Sequence, residues 1–123
     1  EMCIRDSYND DDSRVSREHE NPSLRHVEYT GDVANWKDYD IVFIGYPIWW
    51  QQAAWTVEPF VKNHDFSGKT VVPFATSAMS DIGDSGKNLA FLAGGNGKWL
   101  DGERFSGKAS AAEVREWLQS LSF

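Results

Sequence analysis

The feature that most constrains the fold is an unbroken apolar run near the middle of the chain. Residues 41–46 read Ile-Val-Phe-Ile-Gly-Tyr, and Pro47 follows directly. Because polar residues do not alternate with apolar ones along this run, it predicts a strand covered on both faces, which is typical of a parallel sheet. A second run, residues 70–75, reads Thr-Val-Val-Pro-Phe-Ala and predicts a second buried strand.

The segments around these strands have helical patterns. One helix is predicted from near Thr56 to near His64, with its apolar residues on one face. Another is predicted to begin near Asp84 and to end before the glycines of residues 94–97. The closing helix follows Ser110, because the pattern Ser-Ala-Ala-Glu matches a capping box.

A third strand is predicted over residues 98–105, with a bend at Gly102. Strands that alternate with helices require crossover connections and give an open α/β sheet with helices on its faces. Ligands of such sheets bind beyond the carboxyl ends of the strands. Two loops, residues 46–52 and residues 76–85, are therefore the candidate ligand site.

Composition excludes several classes of function. The chain has 123 residues, the size of one domain, and its net charge of -7 disfavours nucleic acid as a partner. The single Cys3 cannot form an internal disulfide, and His19, His26 and His64 are too scattered for a local zinc motif. No apolar run approaches the roughly 20 residues that cross a bilayer. We therefore expect a soluble, cytoplasmic protein without a metal site.

The start of the chain differs from the rest. Residues 1–20 carry seven Asp or Glu against three Arg, and they hold few large apolar side chains. Ordering such a segment would cost backbone entropy with little apolar burial in return. We therefore predict an acidic, disordered lead-in over residues 1–25 and one folded domain over residues 26–123.

Two adjacent tryptophans follow the first predicted strand, where a flat ligand would lie. We expect Trp49 and Trp50 to diverge, so that one packs inward and the other presents its ring face to a ligand. The alternative is that both indoles only cover the core. On the neighbouring loop, Thr76, Ser77 and Ser80 offer hydroxyl groups to the polar edge of such a ligand. Ordinary turn chemistry explains these three residues equally well.

Several segments in series resemble the flavodoxin family, specifically its bacterial flavodoxin-like branch. They are residues 39–50, ending in Gly-Tyr-Pro-Ile-Trp-Trp, residues 65–74, beginning with Asp-Phe-Ser-Gly-Lys-Thr, residues 76–85, and residues 104–107, reading Arg-Phe-Ser-Gly. The resemblance extends from about Trp36 to Leu121, and the ordered series is more specific than any single segment. It implies a flavodoxin-like three-layer α/β fold, with an FMN cofactor at the carboxyl edge of a five-stranded parallel sheet of order 2-1-3-4-5.

The resemblance also implies which residues contact the flavin. Residues 47–50 would cover one side of the isoalloxazine ring, and residues 76–83 would form the second ring-contacting loop. The implied cofactor-binding residues are Pro47, Ile48, Trp49, Trp50, Thr76, Ser77, Ala78, Ser80 and Gly83. No catalytic residue is implied, because the flavin carries the redox chemistry. Glycine is common in the family at the positions of Gln51, Ala78 and Met79, so the backbone is expected to approach the flavin differently here.

Part of the family pattern is absent. Flavodoxins begin with a strand and a loop of Ser, Thr and Gly that binds the FMN phosphate at a helix N-terminus, and no such segment precedes Asp40. The chain therefore resembles the C-terminal part of a flavodoxin, with strands 3, 4 and 5 but without strands 1 and 2. We expect weaker FMN binding, and an exposed edge on the strand from Asp40 to Tyr46 that is available for self-association.

Three functions stay open at this point. The first is an FMN-binding electron carrier whose acidic surface docks to a basic redox partner protein. The second is a non-catalytic α/β domain that binds a protein partner through its strand edge and its Trp-rich rim. The third is an NAD(P)H-dependent quinone or flavin reductase of the same superfamily. Since the natural start is expected to lie upstream of Glu1, a targeting signal there also stays open.

Overall fold

The computed structural model describes residues 13–25 and 33–123. The helices in these segments are α1, Arg14–Glu20; α2, Glu58–Asn63; α3, Ser85–Leu92; and α4, Ala111–Ser120. The strands are β1, Ile41–Trp49; β2, Gln52–Ala53; β3, Thr70–Thr76; β4, Lys98–Trp99; and β5, Glu103–Phe105. Short 3₁₀ turns cover Pro22–Leu24, Trp36–Asp38 and Trp55–Val57. In the described segments, no helix is long and apolar enough to span a membrane.

A mostly parallel sheet forms the centre of the described structure. β1 and β3 are parallel neighbours, paired from Ile41 with Thr70 to Pro47 with Thr76. On its other edge, β3 pairs in parallel with β4 and then with β5. This confirms the predicted α/β fold with three parallel strand positions. Because Pro47 of β1 lies beside Thr76, the last residue of β3, the segments that follow these two residues lie side by side.

β4 and β5 are two pieces of one strand, separated by the bend that the sequence predicts at Gly102. β4 pairs with residues 70 and 71 of β3, and β5 pairs with residues 74–76. Gly102 has a φ of 81°, in the left-handed region. A Cβ atom at this position would lie 2.3 Å from the carbonyl oxygen of Pro73. Glycine is therefore required where the strand breaks close to β3.

One face of the sheet carries the main hydrophobic core. The buried side chains of this core are Ile44, Tyr46, Val61, Phe66, Val71, Ala75 and Leu89. Phe66 is fully buried, and its ring lies 5.3 Å from the ring of Trp36 and 5.5 Å from that of Trp99. Burial of each large apolar side chain contributes roughly 1.5–3 kcal/mol. The core holds α2 and α3 against β1 and β3, and this packing sets the position of the loop that precedes α3.

The opposite face of the sheet packs against α4. Trp117 of α4 contacts the rings of Phe43, Phe74 and Phe105 at centroid distances of 6.2, 6.2 and 5.2 Å. Ile41 and Phe43 of β1 nevertheless remain 40% and 43% exposed. The prediction that this strand is covered on both faces is therefore wrong for one face. The reason is that the Trp117 ring of α4 lies closer to Phe105 of β5 than to Phe43 of β1.

The helix boundaries agree with the sequence pattern to within a few residues. α2 begins at Glu58 and not near Thr56, because Trp55–Val57 first forms a 3₁₀ turn. Ser110 caps α4 as predicted, since its hydroxyl oxygen accepts the Glu113 backbone N–H at 3.1 Å. This local bond satisfies one of the donors that a helix N-terminus leaves free.

The structure differs from the predicted lead-in over residues 13–25. Arg14–Glu20 forms α1, and the Ser13 side chain accepts a backbone N–H of its first turn at 3.3 Å. The imidazole of His19 stacks on the indole of Trp50, far along the chain. Such contacts offset the backbone entropy cost on which the prediction of a disordered segment was based. Residues 1–12 of the predicted lead-in, and residues 26–32, lie outside the described residues.

Candidate functional site

A tight hairpin follows β1 at the edge of the sheet. Trp49 pairs with Gln52 and Ile48 pairs with Ala53, so the connection is a two-residue turn of Trp50 and Gln51. Both turn residues have positive φ, 47° and 65°. Positive φ at both central positions is the requirement of a type I′ turn, which normally takes Asn and Gly. Two bulky residues therefore hold a conformation that glycine would adopt at lower cost.

This hairpin corrects the extent of the first predicted loop. Pro47, Ile48 and Trp49 belong to strand β1, and only Trp50 of residues 47–50 lies in the turn. The strand continues past Pro47 because β2 folds back and pairs with its last two residues. The backbone N–H of Ala54 also donates to the carbonyl oxygen of Pro47 at 3.0 Å.

The two tryptophans diverge, as expected from the sequence. Trp49 is half-buried and packs edge-on against Trp55, with ring centroids 4.9 Å apart. Trp50 remains 36% exposed, and its ring lies parallel to that of His19 at 3.8 Å. Trp49 therefore packs inward, whereas Trp50 is partly exposed at the rim.

The second loop follows β3 and is anchored by its first residues. Ser77 donates its backbone N–H to the Phe105 carbonyl at 3.1 Å, and its hydroxyl donates to the Ser80 carbonyl. The guanidinium of Arg104 reaches the Ser77 carbonyl at 3.4 Å. The Ser77 hydroxyl therefore forms a hydrogen bond within its own loop, as expected if this serine serves the turn. The exposed residues of this loop include Thr76, Ala78, Ser80 and Gly83.

A buried chain of hydroxyl groups connects this loop to β1. The Ser85 hydroxyl, 1% exposed, donates to the Ile82 carbonyl at 2.6 Å. The Tyr46 hydroxyl lies 2.9 Å from the same Ser85 oxygen. Because the single Ser85 proton is directed at Ile82, Tyr46 is the donor in that second bond. Through these hydrogen bonds, Tyr46 of β1 anchors the end of the loop at Ile82 and Ser85.

The turn and the loop together line an open pocket beyond the carboxyl ends of β1 and β3. Its volume is about 560 Å³, and it is lined by Trp50, Gln51, Gln52, Ser80, Asp81, Gly83, Asp84 and Asn88. Of the nine predicted cofactor-binding residues, Trp50, Ser80 and Gly83 lie in this lining. The other six, Pro47, Ile48, Trp49, Thr76, Ser77 and Ala78, belong to the flanking strands and the start of the loop.

Five residues of the lining were not among the predicted cofactor-binding residues: Gln51, Gln52, Asp81, Asp84 and Asn88. The first four lie in the two predicted loops, residues 46–52 and 76–85, whereas Asn88 lies beyond them. The two glutamines follow from the hairpin, which turns the chain back past Trp50. Asn88 lies four residues after Asp84, so both face the same side of the α3 N-terminus. The spacing of Asp84 and Asn88 could have identified Asn88 from the sequence. The hairpin could not have been identified in this way, because its turn lacks the usual Asn-Gly pair.

The strained turn gives a first prediction. Replacing Gln51 with glycine is expected to raise the free energy of unfolding by about 0.5–1 kcal/mol, because a Cβ is unfavourable at positive φ. Urea denaturation measures this change. The matched control is Gln52→Gly, which lies in regular strand β2 and should destabilise the protein. A loss of stability in the Gln51 variant would show that the turn is not strained.

The buried tyrosine gives a pH prediction. Burial raises the pKa of Tyr46 above its ordinary value of 10.0, although Ser85 could turn its proton to the phenolate and offset part of the rise. Above pH 10 the unfolded chain therefore binds fewer protons than the folded one, and stability falls with rising pH. Tyr46→Phe should lack this contribution. Urea unfolding at pH 8 and pH 10.5 tests it, with Tyr39→Phe as the exposed control.

The comparisons with known proteins agree with this architecture. The family profile for Flavodoxin matches residues 5–121. The match starts well before Trp36, where the resemblance read from the sequence begins, and it includes α1. Among curated proteins, no sequence matches the chain at a significant level.

Two solved structures share the fold. A candidate flavoprotein from Bacteroides eggerthii is 37% identical, with a TM-score of 0.75, and the match covers 92% of this chain and 69% of that one. A candidate flavoprotein from Bacteroides uniformis is 35% identical, with a TM-score of 0.75, covering 93% of this chain and 71% of that one. Because the family profile matches nearly the whole chain and these proteins share its sheet and helices, the chain belongs to the flavodoxin family.

Proposed function

We propose that this protein binds FMN and transfers electrons through it. Family membership and the flavoprotein neighbours support a flavin-related function. The observation that carries the proposal is the shared pocket: the exposed ring of Trp50 and the loop of residues 80–84 line one cavity beyond two adjacent parallel strands. This is where ligands of open α/β sheets bind.

The lining of the pocket suits the isoalloxazine ring better than the phosphate. Trp50 offers an aromatic face, and three amide side chains can meet the polar atoms of the ring edge. Among the described residues of the lining, the charged ones are Asp81 and Asp84, and none is Lys or Arg. A phosphate group would meet repulsion there. The proposed pocket therefore holds the ring, and it does not recognise the phosphate.

Each side chain has a role that follows from its chemistry. The flavin, when bound, supplies the redox chemistry. Trp50 stacks on the ring and excludes water from one side of it. Asp81 and Asp84 place negative charge near the ring, which opposes the formation of a reduced flavin anion. The nearby Lys87 amino group lies 3.7 Å from Asp84, but both side chains are 78% exposed, so solvent screens this pair.

Titration of the chain with FMN and with riboflavin tests the proposed function. We expect both to lose fluorescence on binding, with dissociation constants within about threefold of each other, because the phosphate contributes little here. Riboflavin carries the same ring without the phosphate and is the matched control. If neither flavin is quenched, the ring pocket is not a flavin site. If FMN alone binds, a phosphate contact dominates and the proposed ring pocket is wrong.

The acidic lining gives a prediction for electron transfer. Asp81→Asn is expected to raise the midpoint potential of the bound flavin by tens of mV, because removing a negative charge near the ring stabilises the reduced form. A dye-equilibrated reductive titration measures the potential. Glu116→Gln on α4 removes the same charge on the opposite side of the sheet and serves as the control. An unchanged potential in the Asp81 variant would remove the proposed role of this carboxylate.

The redox partner in this proposal is a protein with a basic surface. The chain carries a net charge of -7, which favours such a partner through electrostatic steering. The steering predicts that the association rate falls with added salt. A neutral or acidic partner would show little dependence on salt.

A second candidate function rests on the open side of β1. Phe43 is 43% exposed and lies in an apolar groove of about 330 Å³ with Phe74, Phe105, Trp117 and Leu118. Such a groove beside a strand edge favours self-association. Sedimentation of the chain and of Phe43→Glu distinguishes the two functions. A dimer that the variant loses while it still binds flavin would support association as a separate property.

A further inference from the structure

Two buried hydroxyl groups, those of Tyr46 and Ser85, contact each other at the end of the second loop. Both residues are buried, and their side-chain oxygens lie 2.9 Å apart. A buried hydroxyl group is costly unless it is hydrogen-bonded, and Phe and Ala would fill the same space without polar atoms. Apolar packing alone therefore does not account for this pair.

The Ser85 hydroxyl holds a carbonyl group in the middle of the segment that lines the pocket. Four residues of this segment, 80–84, lie in the lining, and Ile82 is in its centre. The Ile82 carbonyl oxygen accepts both the backbone N–H and the hydroxyl of Ser85, at 3.1 and 2.6 Å. Because a peptide unit is planar, fixing this carbonyl also fixes the amide of Gly83, which lines the pocket.

The side-chain bond matters because the next residue is a glycine. Gly83 has a φ of 51°, inside the turn that the backbone bond from Ser85 to Ile82 closes. Glycine has more backbone conformations available than any other residue, so the Ile82–Gly83 peptide could take other orientations. The hydroxyl of Ser85 adds a second bond to the same carbonyl and favours the observed one.

Tyr46 in turn orients the Ser85 hydroxyl. A serine side chain has three staggered positions, and the bond from Tyr46 favours the one from which the Ser85 proton reaches Ile82. Tyr46 belongs to β1, pairs with Ala75 of β3 and packs in the main core, so its own position is set by the sheet. The loop segment is thus referenced to the centre of the fold.

We propose that Tyr46 and Ser85 are positioning residues of the flavin pocket, which hold the Ile82–Gly83 peptide in the orientation that receives the ligand. This inference rests on the proposed flavin-binding function. Neither side chain is part of the pocket lining. Their effect on binding passes through the backbone of residues 80–84.

Variants of the full chain test the proposal, with riboflavin as the probe. Ser85→Ala removes the side-chain bond to Ile82 and is expected to weaken riboflavin binding about five- to tenfold. Tyr46→Phe keeps the core ring and removes only the donor to Ser85, so it should weaken binding about threefold. In the Ser85→Ala background, Tyr46→Phe should weaken binding no further, because its effect passes through Ser85.

Val114→Ala is the control for a general loss of stability. Val114 lies on α4 in the apolar groove on the opposite face of the sheet, so its truncation should lower the melting temperature and leave riboflavin binding unchanged. Circular dichroism verifies that each variant is folded at the temperature of the titration. Equal losses of binding in Val114→Ala and Ser85→Ala would overturn the inference, since general destabilisation would then explain both.

A measurement without ligand separates the failure of this inference from the failure of the proposed function. The ¹⁵N order parameter of the Gly83 amide should fall from about 0.85, typical of a rigid backbone, toward about 0.6 in Ser85→Ala, and should not fall in Val114→Ala. An unchanged order parameter would overturn the inference, and so would riboflavin binding that Ser85→Ala leaves unaltered. Both results leave the flavin site itself intact. If the natural chain binds no riboflavin, the proposed function fails, and a role of this pair in flavin binding fails with it.

Discussion

Trp50→Ala is expected to weaken riboflavin binding about 30- to 100-fold, the largest effect of any substitution in the pocket. Stacking contributes roughly 0.5–1.5 kcal/mol beyond area burial, and removal of the ring surface from water adds about 1–2 kcal/mol. The two ranges add to about 1.5–3.5 kcal/mol, and the middle of that range, about 2–2.7 kcal/mol, corresponds to this change in the dissociation constant. Fluorescence titration measures it directly. The indole is 36% exposed, so the folded state should tolerate the substitution.

Met79→Ala is the matched control for the Trp50 variant. Met79 lies in the second loop and is 87% exposed, but it is not part of the described lining of the pocket. Its removal should leave riboflavin binding unchanged within about twofold. Equal losses in the two variants would indicate that the loops respond to any substitution. In that case the stacking role of Trp50 would be wrong.

Gly102→Ala is expected to reduce the free energy of unfolding by about 3 kcal/mol or more. The φ of 81° is unfavourable for any residue with a Cβ atom, at roughly 1–2 kcal/mol. The new atom would also lie 2.3 Å from the Pro73 carbonyl oxygen, a backbone atom that cannot turn away. Overpacking of this kind costs about 1–3 kcal/mol. Since a domain of this size has roughly 5–15 kcal/mol of stability, thermal unfolding should shift by roughly 10 °C or more.

The effect of Gly102→Ala should extend to the pocket. β5 follows this glycine, and its Phe105 carbonyl accepts the backbone N–H of Ser77 at the start of the second loop. A displaced β5 would release that loop, so riboflavin binding should weaken even at temperatures where the variant is folded. Gly107→Ala is the control, because no atom lies within 4 Å of a Cβ at that position and its φ is not positive. A Gly102 variant that melts like the control would contradict the clash.

The strands and helices could be predicted because their signals are local. An uninterrupted apolar run and the capping box of α4 depend on neighbouring residues, so β1, β3 and α4 appear where the sequence pattern indicates. The bend at Gly102 was predictable for the same reason, since a glycine inside a strand pattern marks a break. The requirement for glycine at this position was not predictable, because the carbonyl oxygen that excludes a side chain belongs to Pro73 of a different strand.

The pocket depended on contacts between distant parts of the chain. Trp50 was a candidate because of its residue type and its place after a buried strand. Its partner His19 lies in a segment whose composition predicted disorder, and no pattern within that segment indicates an aromatic partner. A short helix such as α1 is marginal by itself, since helix nucleation is costly. Packing against Trp50 and the hydrogen bonds from Arg25 to the carbonyl oxygens of Glu18 and His19 provide the missing stabilisation.

The sequence by itself determined the class of fold and the two loops that form the candidate site. Apolar runs that do not alternate must be buried, and parallel strands bring their carboxyl ends to one edge of a sheet. Only the tertiary structure decided which side chains of those loops face the pocket, and that α1 supports one of them. The physical reason is that a tight hairpin and a ring stack are stabilised by residues distant in sequence, so local sequence patterns do not predict them.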